Sequence, residues 1–414
     1  MRKIIYFIIF LIMKSSYSST ALGQEVPITT DPATQIHPAI DGDRIVYTDY
    51  RNGASDIYLF DLSSQTETRI TSDPSYQKDA KISGDKIVYH DWRNYIVGWA
   101  DNDIYLLDLS TLTETRITSV QSKKENVTIN GRWIAWLDWR TDVDECLTDP
   151  WGCYRRDLMM FFHDLQTNSE APLPPWIPTF DTPWGRPSVS GDLATYKRKS
   201  GGDQAGWCDE MVINLPDDEY SSIELADLSQ FPDISYTELI GGSTNASWAD
   251  ISGDNVIYGI LEQSDIYLRV LSTGEDRMII AGPADHARIK GDWVVFVRNG
   301  YLWYYDISTD LETQMPVGPV ETYYAPSISG NRIVYTADRF GNYDIFMYEI
   351  PGPPSPEPEP TTPSLAGNDE AVSHEERVGE VFCAGLQSPW AMMGSLGVPF
   401  LAAGLIRRSR RRKY

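Results

Sequence analysis

An all-β architecture, a seven-bladed β-propeller of four-stranded blades closed by its N-terminal strand, is predicted by three features of the chain. First, an apolar residue, any residue and then Gly recur seven times: Ile40-Asp41-Gly42, Ile82-Ser83-Gly84, Ile129-Asn130-Gly131, Val189-Ser190-Gly191, Ile251-Ser252-Gly253, Ile289-Lys290-Gly291 and Ile328-Ser329-Gly330. Internal repetition of this kind marks a repeat architecture. Second, short strand-like segments recur around each copy, four to a unit, as in propeller blades. Third, the last unit stops at Ile350 without a fourth segment, whereas Val26-Pro27-Ile28-Thr29-Thr30-Asp31-Pro32 resembles Thr68-Arg69-Ile70-Thr71-Ser72-Asp73-Pro74. The N-terminal strand is therefore expected to complete the last blade, which leaves no open seam.

Within each unit the first strand lies just ahead of the Gly, which supplies a turn conformation that other residues adopt at a cost. The second is an apolar run such as Arg44–Tyr47, Lys86–Tyr89, Trp133–Trp136, Val294–Phe296 or Arg332–Tyr335. The third spans Asp56–Leu62, Asp103–Leu109, Met159–Leu165, Asp265–Leu271, Tyr301–Ile307 and Asp344–Ile350. A fourth closes the unit, as Glu67–Thr71 and Glu114–Thr118. The 24 Tyr and 13 Trp residues and the β-branched runs favour strands. Units three and four depart from the pattern, with long insertions expected around Thr141–Arg156 and Lys197–Ile240, and unit four is the least regular copy.

Both termini carry addressing signals. Residues 1–23 read as a secretory signal peptide: Arg2 and Lys3, an apolar run from Ile4 to Met13, and small Ala21 and Gly23 ahead of Gln24. The run is short for a membrane span. The propeller is assigned residues 24–350 and a Pro-rich, acidic stalk residues 351–382. Residues 383–414 read as an anchor: Cys383, an uncharged stretch Ala384–Ile406 long enough for a transmembrane helix, and a basic block from Arg407 to Lys413 that stays cytoplasmic. That order resembles the tripartite sorting tails of bacterial surface proteins, most closely the Cys-containing type described in myxobacteria. The resemblance implies cleavage near Cys383 and anchoring through it; a retained membrane anchor is the other reading. Both expect an exported head at the cell surface or outer envelope.

A formal net charge of −24 argues against nucleic acid as a partner. Three residues ahead of each repeated apolar position stand His37, Asp79, Asn126, Arg186, Trp248, His286 and Ala325. Equivalent positions in a ring converge, so these residues are expected at one mouth of the central channel as a ligand site. Polar residues facing a water-filled channel are the plainer reading. The loops between second and third strands repeat an acid–aromatic–Arg pattern, Asp49-Tyr50-Arg51, Asp91-Trp92-Arg93 and Asp138-Trp139-Arg140. They serve either as interface anchors or, as favoured here, as pins that pair Asp with Arg in each blade. Acidic clusters such as Asp101-Asn102-Asp103 and Asp142-Val143-Asp144-Glu145 offer Ca²⁺ oxygen ligands, but the spaced ligand loop is missing and solvated turns are the expectation. No zinc spacing is present. Cys146 and Cys153 flank a turn and are expected to form a local disulfide in an exported chain, with Cys208 an open competitor.

The repeats look like the TolB-type propeller repeat, whose blades carry similar Gly-Asp, Asp-Ile-Tyr and Thr-x-Ile-Thr signatures, over roughly residues 25–350. That resemblance implies the fold and leaves function open, because such propellers serve as protein-binding platforms, as accessory domains of peptidases, and more rarely as lyases or hydrolases. No Gly-x-Ser-x-Gly elbow, His-Glu-x-x-His or phosphate loop occurs. The expectation is a non-catalytic surface module that binds an extracellular protein or glycan without a cofactor. A polysaccharide lyase or glycosidase acting through His37, Asp79, Arg186 and His286 is the alternative.

Overall fold

The computed structural model divides the chain into two units, Met1–Ser355 and Pro356–Tyr414. It describes residue 23 and residues 25–95, 102–139, 159–173, 186–200, 220–241, 246–260, 264–321 and 324–351. The signal-peptide, stalk and anchor assignments fall almost wholly outside these residues, as do Cys146, Cys153, Cys208, Cys383 and the insertion Thr141–Arg156. Among the described residues no helix is long and apolar enough to cross a membrane.

The first unit contains seven four-stranded sheets, every strand pairing antiparallel with its neighbours. Blade one runs outward from Gln35–Asp41 through Arg44–Asp49 and Asp56–Asp61 to Thr66–Arg69. Its first turn holds Gly42 at φ +57°, and the equivalent Gly of every other blade lies between +56° and +59°. A side chain would be strained at that φ, which explains the repeated Gly. The innermost strands touch in sequence around the molecule, and Ser327–Ser329 of blade seven touches Gln35–Asp41 of blade one. The ring is closed.

The core lies between blades rather than at one centre. Ile40, Ile45 and Tyr47 of blade one pack against Val334, Ile345 and Met347 of blade seven, with Ile28 between them. The other seams repeat this arrangement. A second device ties the seams on the channel side. The residue after the repeated apolar position accepts a hydrogen bond from the turn Gly of the next blade. Gly84 N–H donates to Asp41 (2.7 Å), Gly131 to Ser83 (3.0 Å), Gly253 to Ser190 (2.8 Å) and Gly291 to Ser252 (2.9 Å). Gly191 donates to Asn130 (3.4 Å) and Gly42 to Ser329 (3.0 Å), which spans the chain ends. At the remaining seam the residue is Lys290, whose side chain has no acceptor to offer Gly330.

Closure follows the sequence alignment of Val26–Pro32 with Thr68–Pro74. Glu25–Pro27 is the outer strand of blade seven, with Val26 opposite Met347 and Pro27 opposite Phe346. Ile28 N–H donates to Ile345 O at 2.8 Å. Thr29 Oγ1 accepts from Ile345 N–H (2.8 Å), as Thr71 accepts from Ile57 (2.9 Å) and Thr118 from Ile104 (2.9 Å). Glu25 accepts from Tyr335 Oη (2.7 Å) and pairs with Arg339 (2.9 Å), the roles Glu67 plays for Tyr47 and Arg51 and Glu114 plays for Tyr89 and Arg93.

Blade four corrects one expectation. The stretch assigned to an insertion over Lys197–Ile240 contains the end of the second strand, Leu193–Ser200, and two further strands, Tyr220–Asp227 and Ser235–Ile240. Tyr220 to Asp227 pair residue for residue with Ser200 to Leu193. They lack the Asp-Ile-Tyr signature but keep strand alternation, with Ile223 buried at its centre. The insertion proper is residues 201–219, outside the described residues.

Candidate functional site: the channel mouth

Five of the seven innermost strands begin with an irregularity. The pairing of Gln35–Asp41 with Arg44–Asp49 skips between Ile36 and Ala39, and blades two, three and six skip at the same place. The skipped residues are β-bulges. In these four blades the candidate residue itself takes the left-handed conformation: His37 (φ 55°), Asp79 (57°), Asn126 (54°) and His286 (55°). This conformation is uncommon outside Gly and costs energy, so the surrounding ladder holds it in place. Beyond the bulge alternation resumes. In blade two Ala80 is buried and Ile82 nearly so between blades, whereas Asp79, Lys81 and Ser83 are half-buried toward the channel.

The ring brings several predicted residues together. His37 Nδ1 pairs with the Asp79 carboxylate of the next blade, and the His37 ring meets Tyr324 edge-on at 4.7 Å. Burial alone would raise the Asp79 carboxyl, but the His37 hydrogen bond and charge hold it well below the usual carboxylate range. Burial lowers the Arg186 guanidinium to about 10, with Arg288 adding to the shift. His286 is lowered to about 4 by burial and by Arg288 and Arg186, so its imidazole is neutral at pH 7.

Trp248 differs from the other candidates in its backbone. In blade five the skip lies between Ala246 and Trp248, so the bulge is displaced and Trp248 keeps φ below zero. Its indole lies against the backbone of Gly259, where a Cβ would come within 2.4 Å of Nε1. It packs on the apolar cluster of blades five and six with Ile257 and Ile289. Trp248 therefore packs against blade six while remaining half-buried.

The sequence reading passed over the residues two positions further along the same strands: Lys81, Asp250 and Arg288. Alternation with a period of two was the available signal. Asp250 is buried and accepts from Ile289 N–H (2.9 Å) and from the Ser188 hydroxyl. Burial lowers the Lys81 ammonium to about 8; Asp79 opposes the shift, while Arg186 and Arg288 add to it.

The repeated loops pin the blades. Arg51 pairs with Asp49 (2.6 Å) and Glu67 (2.7 Å) and lies 4.4 Å over the Tyr58 ring. Arg93 repeats this with Asp91 (2.6 Å), Glu114 (2.6 Å) and Tyr105 (4.2 Å). Their aromatic neighbours remain nearer the surface: the Lys78 ammonium stands 5.9, 4.9 and 5.6 Å from the rings of Tyr50, Tyr76 and Trp92.

Asn102 and Asp103 are not a solvated turn. Both are buried: Asn102 lies 2.7 Å from His90 Nδ1 and donates to Lys124 O (3.0 Å), and Asp103 pairs with Arg116 (2.8 Å). They line a hollow of about 330 Å³ whose charges are answered within the protein, because Asp103 pairs with Arg116 and also lies 4.0 Å from Lys124 Nζ. Among the described residues no group of three or more His, Cys, Asp or Glu is arranged to hold a metal ion.

No known family pattern matches the sequence, and no curated protein resembles it in sequence. Solved structures do resemble it in fold. An oligogalacturonate lyase in complex with manganese superposes with a TM-score of 0.55 at 15% identity, over 80% of this chain and 99% of that one. The acylaminoacyl peptidase of Pyrococcus horikoshii gives 0.52 at 14% identity, over 76% of this chain and 51% of its own. The β-propeller domain of the Trilobed protease from Pyrococcus furiosus, described as having an open velcro topology, gives 0.50 at 13% identity, over 77% and 94%. At these identities the likeness establishes the seven-bladed propeller architecture.

Proposed function

We propose that the propeller is a recognition module whose ligand, an extracellular protein or glycan, enters the channel mouth formed by His37, Asp79, Asn126, Arg186 and His286. The observation that supports this is the His37–Asp79 pair, which joins equivalent positions of neighbouring blades in a closed ring. Four of them, His37, Asp79, Asn126 and His286, are held in a left-handed backbone at β-bulges. In this reading the chain is exported, tethered through residues 383–414, and carries the propeller outward on the stalk.

A second reading, a polysaccharide lyase, has one specific observation in its favour. Lys81, lowered to about 8 beside Arg186 and Arg288, is an amine able to accept a proton near neutral pH next to groups that neutralise a carboxylate. The fold is shared with an oligogalacturonate lyase. Incubation of the purified protein with polyuronides, with and without Ca²⁺ or Mn²⁺, separates the two. The recognition reading expects binding without an unsaturated product; sustained product formation, abolished in the chain carrying His37→Ala and His286→Ala, establishes the lyase. In the recognition reading the same double substitution weakens ligand capture and leaves the melting temperature within a few degrees of the native value.

A further inference from the structure

Among described arginine side chains, all but two pair with a carboxylate. The exceptions are Arg186, two residues ahead of the innermost strand Ser188–Ser190 of blade four, and Arg288, within the innermost strand Asp285–Lys290 of blade six. Arg288 donates only to the carbonyl of Ala287 (3.2 Å), and the neighbouring cation, Lys81, donates only to the carbonyl of Ala80 (3.2 Å). No carboxylate among the described residues lies within ion-pair distance of these three groups. The nearest acidic groups are committed elsewhere: Asp79 pairs with His37, and Asp250 accepts from Ile289 N–H and Ser188. Three cations therefore face one channel without partners, in a chain whose net charge is −24. Each disfavours charge on the others, an arrangement that costs stability unless something neutralises it.

We infer that the channel holds an oxyanion, a carboxylate or phosphate carried by a small ligand or a chain end, between Lys81, Arg186 and Arg288. A guanidinium fork matches either group bidentately, and two forks with an ammonium surround an oxyanion from three blades. The aromatic rings around Lys78, Tyr50, Tyr76 and Trp92, lie at the neighbouring loops, where a sugar ring attached to such an acid finds a flat apolar face. This inference rests on the channel mouth being the binding site and adds the charge and the holding residues.

The test uses the purified full chain with four probes: oligogalacturonate, a neutral galactose oligomer, citrate and inorganic phosphate. Binding is read by calorimetry and by the rise in melting temperature that a ligand of the folded state produces. At least one acidic probe is expected to bind and the neutral oligomer not to, with affinity falling as salt rises. Arg186→Gln and Arg288→Gln are each expected to weaken binding roughly ten- to a hundredfold. Arg44→Gln, in an ion pair with Asp85 away from these groups, serves as the control and binds as the native chain does. Without ligand the two channel variants are expected to melt no lower than the native protein, because like-charge repulsion is relieved. Binding of oligogalacturonate alone identifies a sugar acid as the source of the anion; binding of citrate or phosphate identifies a free oxyanion. The inference is overturned if no acidic probe binds, if the channel variants bind undiminished, or if they melt lower than the native chain and so prove structural. Capture of the neutral oligomer, lost in the His37→Ala and His286→Ala chain but not in the arginine variants, overturns it while leaving the channel-mouth reading in place.

Discussion

Asp344 shows what replacing one residue of a repeat does to its neighbour. In blades one and two the first carboxylate of the third strand, Asp56 or Asp103, pairs with an arginine of the fourth strand, Arg69 at 2.9 Å or Arg116 at 2.8 Å. In blade seven the aligned fourth-strand residue is Pro27, which has no charge to offer. Asp344 is buried without that arginine, and burial raises its carboxyl to about 7 despite hydrogen bonds from Thr29 (3.1 Å) and Asn342 (3.2 Å). An unfolded Asp titrates near about 3.9. Between that value and about 7 the folded chain holds the extra proton, so this group's contribution to stability falls as pH rises through the window and is level above it. Asp344→Asn, compared with the native chain by denaturant unfolding at pH 4 to 8, is expected to flatten that slope. Pro27→Arg is expected to flatten it too, by restoring the ion pair. The bulged residues teach a related lesson: His37 and Asp79 were legible as repeat positions, but Trp248 was not separable from them, because a bulge displaced by one residue leaves no mark in the spacing.

Among elements, the turn after each innermost strand does two jobs. Its Gly makes the left-handed turn, and its N–H reaches back to the preceding blade. The alternation Asp, Ser, Asn, Ser, Ser, Lys, Ser at the accepting position was visible in the sequence, yet its meaning depends on blades being side by side. At the Lys290 seam the acceptor is missing. Lys290→Ser is expected to add the bond to Gly330 and raise unfolding free energy by about 1 kcal/mol, and Ser83→Ala to cost a similar amount at its own seam. Equilibrium denaturation of both chains checks the pair. Blade four marks the limit of signature matching: Tyr220–Asp227 forms a strand through its partner Leu193–Ser200 and not through the consensus residues, so its sequence carries the pattern of an insertion.

Across the whole molecule, closure joins residues 287 to 315 positions apart. Thr29 with Asp344, Glu25 with Tyr335 and Arg339, and Gly42 with Ser329 all tie the two ends of the propeller. Removing residues 25–29 takes away the fourth strand of blade seven and exposes Met347 and Ile345, which now lie under Ile28. That truncation is expected to lower the melting temperature by several degrees or more and to broaden the transition, as measured by scanning calorimetry. Glu25→Ala alone, which leaves the strand in place, is expected to cost about 1–3 kcal/mol because it strands the buried Tyr335 hydroxyl and Arg339.

The blade count, the strand order within each blade and the closing role of Val26–Pro32 were readable from the chain, because each rests on local pattern repeated many times. Turn Gly, apolar alternation and strand-ending polar residues act over a few neighbours, and their recurrence multiplies a weak signal into a strong one. The chemistry of the channel was not readable in the same way. Lys81, Arg186 and Arg288 lie in three different blades, and no local rule states that they face one another or that Asp79 and Asp250 are taken by other partners. Charge interactions depend on distance through space and on burial, and both quantities exist only once the ring has closed.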